Sequence, residues 1–245
     1  MIPPTSIDGT DITGATIDGT DVQEITVDGD VVFTAEPDII DDFESGNLNA
    51  YNRTSGFQIS NFAAKGNHSL EFNNAPFDSP NNETFIGMYS VPGDGLANYF
   101  AKGEKMSYLW YADNNGFHGV NFGVNSTGTE GVLFTFKASD STLSLITEQN
   151  GSTTRDDFLA SGDYRFEWLE VEIQWHDGSG SQPNNTITAD IFQTNSNFQR
   201  TNLINSGSIT ESRFSNNQGI GYADRLRDAH TDIYIDHVVN LGPVD

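Results

Sequence analysis

Cysteine is missing from all 245 residues, basic residues number only 11, and no apolar run approaches the roughly 18 residues that a membrane helix needs. Without cysteine there is no disulfide scaffold. With so few bases there is no basic stripe to displace counterions from phosphate, so nucleic acid is not an expected partner. No membrane insertion is expected either. The opening residues, Met1-Ile2-Pro3-Pro4 and onward, carry neither a positive n-region nor an apolar h-region, so no Sec-type signal peptide is expected.

What the chain has instead is acid: 35 Asp and Glu against 11 Lys and Arg, a formal charge of −24. Self-repulsion of that size opposes the compact state in dilute buffer. At molar salt the Debye length falls to about 3 Å and surface carboxylates stop repelling one another across the molecule. The balance therefore reads as that of a protein from an extreme halophile or its virus. A content of 36% hydrophobic residues, with 17 Phe, is enough for a real core.

Residues 1–36 differ from the rest. Ile7-Asp8-Gly9-Thr10, Ile17-Asp18-Gly19-Thr20 and Val27-Asp28-Gly29-Asp30 recur at a ten-residue period, each a β-branched residue entering an Asp-Gly turn. Three or four short strands are expected there, too thin to bury a core alone. Glu36-Pro37 marks the boundary, and residues 37–245 form the second domain. From Asp38 onward, short alternating runs separated by Gly, Asn, Ser and Asp turns predict an all-β sandwich. The clearest strand is Tyr164 to Trp175, where Leu169, Val171, Ile173 and Trp175 share one face and Glu170, Glu172 and Gln174 the other. Only Leu96 to Gly103 and Asp224 to Ala229 have any helical character.

Three stretches carry a resemblance. Asp41-Asp42-Phe43-Glu44-Ser45-Gly46 with Gly66-Asn67-His68-Ser69-Leu70, then Trp168 to Trp175 followed by Asp177-Gly178, then Asp232 to Val239, resemble in order the opening, long middle strand and closing strand of concanavalin-A-like (laminin-G-like) jelly rolls. The resemblance implies an N-terminal β-repeat followed by a concanavalin-A-like jelly-roll β-sandwich. The Asp-Gly repeats ending in Val27 to Ala35 look like the N-terminal attachment regions of small virion proteins in tailed viruses of haloarchaea and bacteria.

Hydrolases of the laminarinase type share such a fold and carry a Glu-x-Asp-x-x-Glu pattern, which Glu167, Glu170 and Glu172 lack. No G-x-S-x-G elbow or H-E-x-x-H pair occurs, so the chain is not expected to be an enzyme. In the carbohydrate-binding jelly rolls of this resemblance, the first and last strands pair and often hold a structural Ca²⁺. The corresponding oxygens here are those of Asp42, Glu44 and Asp236, hard ligands of the kind calcium prefers; halophilic surface acids are the simpler account of them. Ligand contacts, if present, are expected from Trp110 and from the loop Asn114, Asn115, Phe117 and His118, polar plus aromatic at the rim of a rigid sandwich. Rings inside strands, among them Trp110, Tyr111, Trp168 and Trp175, are more often core.

The resulting expectation is an outward-facing fibre, spike or turret subunit of a halophilic virion, assembled in the host cytoplasm. Residues 1–36 would attach it to other virion proteins and pool its N-termini in a homo-oligomer, and the sandwich would bind a host-surface glycan or S-layer glycoprotein. The alternatives are a purely architectural decoration subunit and a carbohydrate-binding module of a halophile surface protein.

Overall fold

The computed structural model describes residues 37–54, 56–72, 86–112, 117–149, 152–225 and 233–244, together with the main chain of six short strands before residue 35. The chain divides into two units, Met1–Asp38 and Ile39–Asp245.

In the first unit the strands pair as antiparallel hairpins: β1 (Ser6–Ile7) with β2 (Thr10–Asp11), β3 (Thr16–Ile17) with β4 (Thr20–Asp21), and β5 (Glu24–Val27) with β6 (Asp30–Thr34). These are six strands rather than three or four. The members of each pair flank an Asp-Gly dipeptide in the sequence.

Among the described residues fourteen strands follow. They are β7 (Asp38–Asp41), β8 (Phe57–Ser60), β9 (Ser69–Phe72), β10 (Met88–Ser90), β11 (Glu104–Ala112), β12 (Phe117–Val124) and β13 (Glu130–Lys137). After these come β14 (Thr142–Gln149), β15 (Ser152–Phe158), β16 (Trp168–Trp175), β17 (Thr186–Thr194), β18 (Arg200–Thr210), β19 (Gly219–Arg225) and β20 (Ile233–Pro243). One sheet runs β18-β17-β16-β11-β20-β9-β8, with β7 also pairing β20; the other runs β10-β19-β12-β13-β14-β15. The two form a concanavalin-A-like jelly-roll sandwich, and no helix occurs among the described residues. Leu96 to Gly103 is turn and coil, Asp224 and Arg225 end β19 as strand, and residues 226–229 lie outside the described residues.

Period-two alternation builds the core. In β16, Leu169, Val171, Ile173 and Trp175 are buried while Trp168, Glu170, Glu172 and Gln174 are half-exposed, as the sequence predicts. Phe166 takes a positive φ of 67°, so the regular strand begins at Trp168 and not at Tyr164. Rings from the two sheets meet edge to face across the interior: Tyr108 with Phe134 at 6.3 Å, Trp110 with Phe136 at 5.6 Å, and Trp175 with Phe122 at 5.9 Å.

β20 pairs with both β7 and β11, so the first and last strands of the sandwich are neighbours. Its ladder with β11 shifts register between Ser107 and Leu109, where His237 has a positive φ of 51°. This bulge places Asp236 on the outer face while returning Val238 to the core.

Trp110, grouped by sequence with the ligand contacts, has 0% of its surface exposed and belongs to the core. That expectation is corrected: its position on β11 is in phase with Met106, Tyr108 and Ala112, all inward. Trp110→Ala is expected to lower the unfolding free energy by about 3–5 kcal/mol, measured by denaturant titration.

Candidate functional site

The same alternation that fills the core sends a second set of rings outward. Across the outer face of the larger sheet, the registers align Gln58, Glu71, Tyr234, Tyr111 and Trp168 in one row. The next row holds Asp236, Leu109, Glu170, Phe192 and Leu203. A third holds Ser107, Glu172, Asp190 and Ser206.

A turn folds over the first row and adds Phe62. Its ring stacks on Trp168 at 5.7 Å and 19°, and meets Tyr111 at 4.9 Å and Tyr234 at 4.7 Å. Phe198 touches the far edge of Trp168 at 6.3 Å. Phe62 remains 44% exposed, so the cluster presents an open aromatic surface instead of a closed miniature core.

Beside the rings, Arg200 lies with its guanidinium carbon 4.1 Å from the Phe192 ring centre. Its Nη2 donates to Glu170 Oε1 at 2.6 Å and to Glu172 Oε2 at 2.8 Å. Gln174 Nε2 also donates to Glu172, at 2.6 Å. Burial raises the Asp190 carboxyl above its ordinary range, against a hydrogen bond from Ser206. The face thus offers flat apolar rings bordered by carboxylates and amides, the pairing of surfaces that suits a polyhydroxylated ring.

Two carboxylates hold the turn that carries Phe62. Asp236 Oδ2 accepts the N–H groups of Ala64 and Lys65, each at 2.8 Å. Glu44 Oε1 accepts those of Asn67 and His68, each at 2.7 Å, and its other oxygen accepts Asn67 Nδ2. Those amides hold the Glu44 carboxyl below the usual range. Gly66, at φ +67°, sits between them, and a Cβ there would strike Glu44 Oε1. Both the backbone conformation and the close approach require glycine.

Asp42 Oδ1 accepts the Glu44 N–H at 3.1 Å. The structure therefore places Asp42 in a local turn and spends Glu44 and Asp236 on main-chain amides. Among the described residues no group of three or more His, Cys, Asp or Glu side chains is arranged to hold a metal ion. Main-chain amides engage Glu44 Oε1 and Asp236 Oδ2, while Asp236 Oδ1 is buried. Asn114 and Asn115 lie outside the described residues. Phe117 and His118 begin β12, opposite Arg225 and Asp224, and their side chains are likewise outside the description.

Sequence reasoning assigned Tyr111 and Trp168 to the core and did not single out Phe62 or Tyr234. The phase of the strands was the available signal: Trp168 precedes Leu169, and Tyr111 follows Trp110, so both rings fall on the face opposite a buried neighbour.

No protein-family model and no curated protein matches the sequence. Among solved structures, the chain is similar to the carbohydrate-binding module CBM66 from Bacillus subtilis, at 9% identity over 79% of this chain and 96% of that one, with a TM-score of 0.46. It is similar to the exoplasmic/lumenal domain of VIP36 in a Ca²⁺/Man3GlcNAc-bound form, at 9% identity over 78% and 82%, TM-score 0.44. It is also similar to a xylan β-1,4-xylosidase from Bacillus halodurans C-125, at 11% identity over 85% and 40%, TM-score 0.44.

Burial lifts the Asp236 carboxyl to about 6, against the lowering effect of the Lys65, Ala64 and His237 amides. A value raised in the folded state contributes stability that is complete below the unfolded value and is lost as pH rises through about 6. Asp236→Asn keeps an acceptor oxygen and cannot ionise. It is expected to gain on the wild type by on the order of 2–3 kcal/mol between about pH 4 and pH 7, read from urea midpoints at each pH.

Proposed function

We propose that the sandwich unit is a glycan-binding module that takes its ligand on the outer face of the larger sheet, without catalysing its cleavage. The observation that carries this reading is the exposed Phe62 ring, stacked on half-buried Trp168 and set against half-buried Tyr111 and buried Tyr234, bordered by Glu170, Glu172 and Arg200. A sugar ring has an apolar face of C–H bonds and an edge of hydroxyls. The rings accept the first, and the bordering carboxylates and amides accept the second. Glu170 and Glu172 are both engaged by one guanidinium, which supports a positioning role over a catalytic one.

Trp168→Ala and Phe62→Ala are each expected to weaken binding to the best oligosaccharide at least about tenfold. Both side chains lie on the outer face, so the far-ultraviolet circular dichroism spectrum is expected to stay that of the wild type. Calorimetric titration after a glycan-array screen measures the effect. Unchanged affinity in both variants overturns the reading.

The biological setting is a further part of the proposal. The repeated hairpins β1 to β6 support residues 1–36 as an attachment and oligomerisation segment, and the net charge supports a brine-adapted source. In that setting the protein is an outward-facing virion subunit, assembled in the host cytoplasm, that adheres to host-surface glycan. A charge of −24 then makes the melting temperature salt-dependent. Raising KCl from about 0.1 M to about 2 M, which shortens the Debye length severalfold, is expected to raise it by more than ten degrees in scanning calorimetry. A flat response counts against the halophilic setting and leaves the glycan site untouched.

A further inference from the structure

We infer that this face takes an uncharged oligosaccharide of more than one sugar, lying along β16 and β17 from the Phe62–Trp168 stack to the Phe192–Arg200 pair. The inference rests on the glycan reading and specifies its ligand.

The rings themselves exclude one competing ligand. An aromatic cage for a quaternary ammonium needs open space between its walls. Here Phe62 lies 4.7–5.7 Å from Tyr234, Tyr111 and Trp168, so the rings fill the space that a cage would leave. What is left to a ligand is the open side of the stack, which suits a flat, largely apolar ring face.

The charges exclude another. Among the described residues Arg200 bonds to the outward rows, and its Nη2 is shared between Glu170 and Glu172. A carboxylate or sulfate on a sugar is best recognised by the two-pronged edge of an arginine. Its Nη2 end is turned to these protein carboxylates, and Asp190 stands in the row beyond. An anionic glycan meets an excess of carboxylates along this path.

Length follows from the strand. Trp168 and Glu170 are successive outward positions about 6.5–7 Å apart, and Phe192 stands opposite Glu170 on the next strand, so the path from the stack to the Phe192–Arg200 pair is on the order of 8 Å. One sugar ring covers only part of it. The Arg200 guanidinium, its carbon 4.1 Å from the Phe192 ring centre, supplies with that ring a second planar surface one row beyond Trp168. A ligand that reaches both surfaces contains at least two sugars.

The test is calorimetric titration of the full chain at about 0.1 M salt. The probes are neutral gluco-, manno-, xylo- and galacto-oligosaccharides of increasing length, with oligogalacturonates and sulfated oligosaccharides as the acidic series. The inference expects affinity for a neutral series to rise at least about tenfold from monosaccharide to trisaccharide, and every acidic probe to bind at least about tenfold more weakly. Arg200→Ala is expected to lower trisaccharide affinity severalfold and leave that of the monosaccharide unchanged. Arg200→Lys, which keeps the charge but not the flat guanidinium, is expected to behave like the alanine variant. Acidic probes that match the neutral ones, affinity independent of length, or Arg200 variants that bind trisaccharide normally overturn the inference while leaving the glycan reading in place. Absence of binding by the wild type to every probe overturns both.

Discussion

The candidate site depends on two carboxylates that hold a five-residue turn. Asp236 and Glu44 come from opposite ends of the sandwich unit, yet together they accept the N–H groups of residues 64, 65, 67 and 68. Hydrogen bonds from amides to a carboxylate are stronger than those between neutral groups. They fix the turn that sets Phe62 against Trp168, and without that ring the outer face is an ordinary strand surface. The arrangement carries a cost: Asp236 is buried, and its ionised form is disfavoured there.

The rest of the unit supplies rigidity. Rings meeting edge to face across the sandwich tie the sheets at several points along their length. The site therefore sits on a sheet whose opposite face is closely packed, which keeps outward side chains in place before a ligand arrives. The register shift at His237 adds one local adjustment: it turns Asp236 outward, beneath the turn it holds, without taking Val238 from the core.

Acidity bears on the site as well as on the solvent. Arg200 is bonded within the outward rows, where two glutamates share it and it rests on Phe192. On the proposed reading, a surface suited to high salt and one that disfavours acidic glycans would be the same surface, because both would follow from carboxylates that outnumber their partners.

Much of the architecture was legible in the residues. Alternation in Trp168 to Trp175 specifies which side of β16 is buried, since a one-residue slip would bury Glu170 and Glu172. Strands β15 and β18 were not legible: STTRDDF and RTNLINSGSIT have little apolar periodicity, and they are edge strands that gain order from hydrogen bonds to β14 and β17. For the site, the order of residues identified Asp42, Glu44 and Asp236 as notable acids, but their chemistry could not be read there. An oxygen's partner is set by what lies within about 3 Å, and the amides of the 64–68 turn reach Glu44 and Asp236 only after β20 has come to lie between β9 and β11. Composition and periodicity determine charge, strand phase and fold class because these depend on near neighbours; the aromatic face and its carboxylate clamp join positions more than a hundred residues apart, and folding alone brings these together.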